Sequence, residues 1–508
     1  MLPILNSAAA QRSKKYTVAF RGINYGEGYQ DGEFSETENV SAAQYPCLSQ
    51  RYARITEGSY NAPTSMHAKE GLLVVDGTGT VWYDKSVVGA VTPGRKQMAT
   101  VGNYIVIFPD KVYYNVASRE WGSMEAEYTA SGLKFTNKTI ETTGADWPFR
   151  EGDAVTISGC STAANNQEII IRGVDGKKLT FYENSFTEAT ESVAVTIKRA
   201  IPTLTHICEN NYRLWGTLGN TIYASKYMDP LNFNYKDQVA SDSYAIDVAT
   251  DGEFTGCIPF SSHICFFKEN TLHKLYGTLP SNFQIVTSNI YGVQAGSERS
   301  MCIVNETLFY KGVLGVYAYN GGIPEPLSKP FGTRRYKNAC AATDGSRYYI
   351  SMEDEDGSWG VYAYDIEKNI WVREDGLHCV DMATHDGYVY LLGADGGLRK
   401  IDEAGDVSDL NWSATFCPFN ETQNERKGYS KFHLRLDMAA GAWLKVEVKR
   451  DTDKRWEQVY TTHNEKAQTV SIPILPARCD SVEIRLSGKG ECKLRTFVRE
   501  FFTGSDRQ

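Results

Sequence analysis

Two basic clusters are the residues of this chain whose types best suit the binding of something. The first is Thr333-Arg334-Arg335-Tyr336-Lys337, in which Arg334, Arg335 and Lys337 could hold a phosphate or an acidic partner. The second surrounds two tryptophans, Trp443 and Trp456, set among Lys445, Lys449, Arg450, Lys454 and Arg455. Ring faces beside charged side chains suit a sugar or a partner protein. Both clusters read equally as solvated surface, a loop in the first case and alternate strand positions in the second.

Turnover chemistry is harder to find. No G-x-S-x-G elbow, H-E-x-x-H, P-loop or G-x-G-x-x-G unit is present. The eight histidines are dispersed, and only His263 and His273 flank one hairpin, where ordinary strand positions outweigh a metal site. The acidic run Glu353-Asp-Glu-Asp-Gly357 lacks the spacing and terminal glutamate of a calcium loop and reads as a solvated hairpin turn. The repeated Ser-x-Asp-x-Gly-x-Thr-Trp turns of sialidase-type propellers are missing, although paired carboxylates meeting in the fold would still permit a glycosidase. The expectation is a chain with no catalytic residues, no cofactor and no metal.

Eleven cysteines lie scattered without a C-x-x-C, several inside apolar strands such as Ile264-Cys265-Phe266. They read as buried reduced thiols of a protein assembled in a reducing cytosol. A net charge of −9 argues against general nucleic-acid binding, which rests on neutralising phosphates with Lys and Arg. No run of about 18 apolar residues could span a bilayer. The opening Met1-Leu2-Pro3-Ile4-Leu5 is too short, and broken by Pro3, for a signal peptide.

The elements that would position any site are strands. The chain holds 31 Tyr, 21 Phe, 9 Trp and 44 Gly, and no long segment repeats apolar residues at helical spacing. Seven times a short aromatic strand is followed by a turn and a strand with a Val-Tyr-like pair, most clearly at Gly312–Tyr319 and Gly357–Asp365. Anchored on Val81, Val112, Ile222, Leu272, Val316, Val361 and Leu398, the gaps are 31, 110, 50, 44, 45 and 37 residues. A period of roughly 40–50 residues of pure strand predicts propeller blades, about seven of them. The gap of 110 shrinks to a normal blade once an insert of about 75 residues is removed.

The expected fold class is therefore all-β: a β-propeller of about seven blades with an inserted small β-barrel-like module and a C-terminal β-sandwich. Residues 1–65 read as an extended arm, irregular and poor in apolar runs, lying across the propeller or a neighbouring subunit, with Tyr45-Pro46 extended because the residue before proline avoids the α region. Residues 66–125 and 200–408 hold the blades, whose hairpins start with strands such as Gly71–Val75 and Tyr104–Phe108. Residues 126–199 form the insert, and residues 409–508, with clean apolar–polar alternation in Tyr429–Asp437 and Trp443–Arg450, form the sandwich.

This order of parts resembles the virion β-propeller proteins of tailed bacteriophages, the packaged-DNA stabilisation and tail hub or nozzle type. The leader Glu38–Arg54 is similar to their Asn-Leu-Ser … Tyr-Pro … Ser-x-Arg-x-x-Arg segment, at Tyr45, Pro46, Arg51 and Arg54. Arg213–Phe233 resembles their blade of strand, Ala-Ser, then Asp-Pro-x-x-Phe, and Val498–Asp506 resembles their closing segment. The resemblance implies a structural virion protein, made and assembled in the host cytoplasm and residing in the tail or head–tail junction. It would form a homo-oligomeric ring with portal, adaptor or tail subunits and could contact channel DNA. A receptor-binding adhesin recognising host surface glycan through Trp443 and Trp456 is the alternative, and a glycan-cleaving propeller enzyme the second.

Overall fold

Aromatic and β-branched residues at alternating positions build strand after strand. The computed structural model describes residues 11–503, apart from 423, 452, 464–467 and 476, and among them the only helical elements are four short 3-10 turns. The chain is all-β and divides into two compact units, Met1–Ser59 with Arg299–Gln508, and Tyr60–Glu298.

Among the described residues seven sheets share one plan, an antiparallel four-stranded meander. Four lie in the unit Tyr60–Glu298, opening with Ser65–Lys69, Gln97–Val101, His206–Asn210 and Gly256–Phe260. Two more, opening with Cys302–Val304 and Tyr336–Thr343, lie in the other unit. The seventh consists of Cys379–His385, Tyr388–Gly393 and Gly397–Ile401, and is completed by Ile55–Ser59 from far upstream in the sequence, with Lys400 opposite Ile55. Within each unit the first strands of successive sheets adjoin: His206–Asn210 lies against both Gln97–Val101 and Gly256–Phe260, and Tyr336–Thr343 lies against Cys379–His385.

All seven Val-Tyr-like anchors fall in the third strand of a meander, for example Val112 in Val112–Asn115 and Val361 in Trp359–Asp365. The strands taken from the sequence to start each hairpin are in fact the second of four. Their burial explains why they were conspicuous: every residue of His263–Lys268 is buried, as are Ile105 to Phe108. A strand covered on both faces reads as a continuous apolar run.

Between the second and third meanders, Ala126–Ala130 pairs with Val195–Arg199 and brackets a small module. Two sheets, one of four strands and one of five, share a core that includes Phe135, Trp147, Phe181 and Ile197. The Glu191 carboxylate is buried here and accepts the N–H groups of Ser161 (2.8 Å) and Thr162 (3.0 Å) and the Ser161 hydroxyl.

Residues 1–65 do not form the irregular arm expected. Their described part contains strands that complete sheets made by the C-terminal residues. Gln11–Thr17 runs antiparallel to Cys492–Thr503, in register from Gln11 opposite Thr503 to Thr17 opposite Phe497. Glu33–Glu38 pairs with Asn411–Phe416. Nor is Tyr45-Pro46 an extended run. The bond is cis, and it lies in a turn where Tyr45 N–H donates to Ala42 and Cys47 N–H to Gln44. The arm lacked long apolar runs because each of its short strands needs only one or two buried side chains, such as Phe34 and Val40, to dock on a sheet supplied from elsewhere.

The C-terminal residues thus belong to two sheets, one built on Lys427–Met438 and Cys492–Thr503, the other on Asn411–Phe416, Trp443–Arg450 and Val482–Lys489. Val482–Lys489 alternates buried and half-buried without a break. One core joins the two sheets, with the rings of Phe416 and Phe497 stacked at 5.4 Å and Phe34 and Phe416 at 4.7 Å.

Hydrogen bonds from Ser161 and from the two backbone N–H groups lower the Glu191 pKa from 4.5 to about 2. The stability this carboxylate confers is complete above pH 4.5 and is lost as pH falls towards 2. Glu191→Gln is expected to lose less thermal stability than the parent between pH 5 and pH 3. Equal losses in the two proteins would show that the carboxylate is not held as described.

Candidate functional site

The leader Glu38–Arg54 is a clamp. Its backbone follows the outer strand Ile370–Asp375, with Asn39 N–H donating to the Glu374 carbonyl at 2.5 Å and Arg51 N–H to the Asn39 carbonyl at 2.9 Å. Arg54 then reaches Glu374 at 2.7 Å and Asp375 at 2.8 Å, and Arg51 reaches Asp375 at 3.1 Å. Two guanidiniums face two carboxylates, and Arg54 and Glu374 are almost enclosed. Arg51 and Arg54, expected to face a partner, are therefore committed within the chain. Pro46 is exposed, but its carbonyl accepts Phe20 N–H at 3.1 Å, and Tyr45 is half-buried against the core.

The second family-like segment is also a mount. Asp229 of the Asp-Pro-Leu-Asn-Phe run binds Arg150 of the inserted module at 2.5 Å, and Asn232 accepts the Ala154 N–H at 2.9 Å. Deeper in, Arg199 and Asp153 form a buried ion pair of 2.6 Å, and Arg172 meets Asp237 at 2.9 Å. The resembling motif thus holds the insert to the meander that follows it. Of the closing segment, Val498 to Thr503 lie in the long C-terminal strand, and residues 504–506 lie outside the described residues.

The basic cluster at 333–337 is dispersed by the fold. Arg335 extends towards the Leu314 carbonyl (3.5 Å), Lys337 pairs with Glu353 at 3.4 Å, and Arg334 lies over the ring of Tyr25 at 3.7 Å. The tryptophans part as well. Trp443 opens the strand whose other end carries Lys449, a separation of roughly 20 Å. Trp456 stands by Lys449, with the Arg485 guanidinium over its ring at 4.4 Å.

Arg334 and Trp456 nevertheless meet, because both line one cavity of about 480 Å³. The cavity size is in the range of small-molecule sites. Its remaining walls come from five stretches of chain: Tyr25, Ser35 and Glu36 near the start, Asp354 to Tyr362, Arg373, Thr415, and the Lys449–Arg485 region. The Tyr362 hydroxyl, on the cavity wall, lies 3.3 Å from that of Tyr336. Burial, reinforced by Tyr362, keeps the Tyr25 phenol neutral far above its ordinary range, while Arg334 and Arg373 pull the other way. At the rim Lys449 pairs with Glu483 (2.7 Å), and Arg485 holds Glu447 with two nitrogens, at 2.8 and 2.9 Å. Trp359 stacks on His378 with centroids 3.7 Å apart.

Of the residues here, sequence reading had singled out Arg334, Trp456 and Lys449. Tyr25, Glu36, Trp359, Arg373 and Arg485 carry no mark of their own, since they lie in strands or loops up to hundreds of residues apart and only the fold assembles them. A second cavity, about 330 Å³, lies beside the leader clamp and is lined by Arg51, Arg54, Arg347 and Glu374, whose charges are spent on one another or on neighbouring strands.

The histidines named above are strand residues. His273 bonds Thr250 and Thr287, each at 2.9 Å, and burial lowers its pKa to about 4. His263 packs on Tyr276 at 4.8 Å. Glu353–Gly357 closes a hairpin, with Asp354 accepting the N–H groups of Asp356 and Ser358. All eleven cysteines are free and nine are buried, with burial pushing thiols such as Cys265 and Cys379 up to about 12.

No family model and no curated protein matches the chain. Among solved structures it is similar to BamB from Moraxella catarrhalis, at 12% identity over 69% of this chain and 97% of that one, with a TM-score of 0.36. It is similar to the RRP9 WD40 repeats at 8% identity, over 70% and 99% of the two chains, with a TM-score of 0.37. An exo-β-1,3-galactanase from Phanerochaete chrysosporium aligns over 56% of this chain and 92% of that chain, at 8% identity and a TM-score of 0.22. These scores are too low to transfer anything from those proteins to this one.

Removing Arg54 strands the enclosed Glu374, so Arg54→Ala is expected to destabilise the protein by about 3–5 kcal/mol in urea unfolding. Lys337→Ala, which breaks a solvated pair, should change it by less than about 1 kcal/mol. Similar small effects for both would reassign Arg54 to an outward-facing role.

Proposed function

We propose that this chain is a non-catalytic structural subunit of a tailed-phage virion, of the ring-forming hub, nozzle or DNA-stabilisation type. One observation carries the reading. The segments that resemble that family spend their charged and polar side chains on joints inside the chain, Arg51 and Arg54 on Glu374 and Asp375, and Asp229 on Arg150. Motifs that build joints befit a protein whose task is to hold a shape within an assembly. In this proposal the seven meanders are blades of one closed propeller with Ile55–Ser59 as the closing strand, and the two C-terminal sheets form a sandwich.

The partners are further copies of the chain and neighbouring portal, adaptor or tail proteins. DNA passing through the ring meets an acidic protein, which lowers the affinity of any contact with phosphates. Because the described part of the N-terminal segment pairs with the chain's own sheets, the surfaces that meet a neighbour lie elsewhere.

Native mass spectrometry and negative-stain microscopy of the purified chain are expected to show a closed oligomeric ring. Mass spectrometry of purified particles should find the chain among the virion proteins. A monomer at tens of micromolar that is also missing from particles would sink the proposal.

A further inference from the structure

The cavity beneath Arg334 has an uneven distribution of charge. Lys449 and Arg485 are neutralised by Glu483 and Glu447, but Arg334 and Arg373 have no carboxylate within 4 Å among the described residues. On the same walls Glu36 and Asp354 have no cation within that distance among the described residues. Elsewhere in this unit buried opposite charges close on each other, as at Arg54–Glu374 and Arg499–Glu421. Here the walls hold them apart across a space of about 480 Å³.

Each of the two free arginines has its approach fixed. Arg334 sits over the Tyr25 ring, its Cζ 3.7 Å from the centroid, a cation–π contact that helps to fix where the guanidinium lies. Arg373 sits on the strand Ile370–Asp375, directly across from Tyr362, and its backbone is pinned by Thr37, whose hydroxyl accepts the Arg373 N–H at 3.0 Å. Both arginines line the same cavity as Tyr25, whose ring Arg334 covers at 3.7 Å, so their charges face one space. Convergent, pre-oriented guanidiniums are the usual receptor for a planar carboxylate. The Glu36 carboxylate and the second oxygen of Asp354, whose Oδ1 already accepts two turn N–H groups, supply acceptors that an anion alone could not use but a ligand rich in hydroxyl groups could. The edges of Trp359 and Trp456 add apolar surface suited to a ring with C–H faces.

We infer that this cavity binds a carboxylated sugar residue, its carboxylate held by Arg334 and Arg373 and its hydroxyls donating to Glu36 and Asp354. The inference does not depend on the assembly role proposed above. It also relocates sugar recognition: the site needs Tyr25, Arg334 and Arg373 as well as Trp456, so the C-terminal residues alone cannot form it, and Trp443 takes no part.

The test is calorimetric titration of the full chain with glucuronic acid and N-acetylneuraminic acid, against glucose, sodium acetate and an acidic oligopeptide. At least one sugar acid should bind saturably, more tightly than glucose or acetate. Arg373→Gln and, independently, the loop variant Arg334→Gln should weaken it roughly ten- to a hundred-fold. Trp443→Ala should leave it unchanged, and unchanged thermal unfolding would show that the variants remain folded. Three results would overturn the inference: no binding of either sugar acid, acetate binding as tightly as the sugar acids, or binding of the acidic peptide alone. Sugar-acid binding unaffected by both arginine variants would place the site elsewhere and equally reject it.

Discussion

A guanidinium buried in the core ties the unit that contains both ends of the described chain. Arg499 is 1% exposed, and its nitrogens reach Glu421 at 2.7 Å, Asp31 at 2.9 Å and the Thr17 hydroxyl at 2.6 Å, while its plane covers the Phe419 ring at 3.7 Å. An isolated charge here would be prohibitive, so the three oxygen-bearing partners are obligatory rather than optional. They come from the first paired strand, the loop before Glu33–Glu38 and the loop after Asn411–Phe416. Once Arg499 is placed, the register of Gln11–Thr17 on Cys492–Thr503 is fixed, and with it the edge on which the leader begins. The leader clamp and the seventh meander's fourth strand lie downstream of that choice.

Much of this architecture was legible in the sequence, but unevenly. The second strand of each meander announces itself because most of its residues are buried, as in Tyr104–Phe108, and some third strands do the same, Trp359–Asp365 most fully. Outer strands such as Glu120–Ser123 and Glu325–Pro326 are polar and exposed, so periodicity passes over them. The module from Ala126 to Arg199 showed as an interruption of the repeat. The N-terminal segment misled for a simple reason. A strand that docks on a sheet built some 400 residues later has no local partner, and nothing in its own composition says what will cover it.

The cavity follows the same rule. Arg334 and Trp456 stood out as charged and aromatic residues in clusters, yet each cluster dissolves in the fold: Arg335 and Lys337 turn to other carbonyls and carboxylates, and Trp443 lies at the far end of its strand. What replaces them is a set of single residues drawn from many elements. Clusters along the chain recorded strand alternation and loop solvation, whereas the convergent groups are contiguous only in space. The joints behave similarly, since Arg51, Arg54 and Asp229 looked like surface features and proved to be fasteners.

The pairing of Gln11–Thr17 with Cys492–Thr503 also sets an order in time. Every sheet pairing of the unit Tyr60–Glu298 lies among its own residues, so that unit can assemble as soon as it has left the ribosome. The other unit cannot. Gln11–Thr17 is made early, but its partner follows about 480 residues later, which at about 5–20 residues per second is a wait of roughly 25–95 s. During that interval Gln11–Thr17 has no strand to pair with, whereas Gly22–Ile23 and Val40–Ser41 have partners close by. Its polar composition, QRSKKYT, which made it look like part of an irregular extended arm, offers little apolar surface to stick to other chains while it waits.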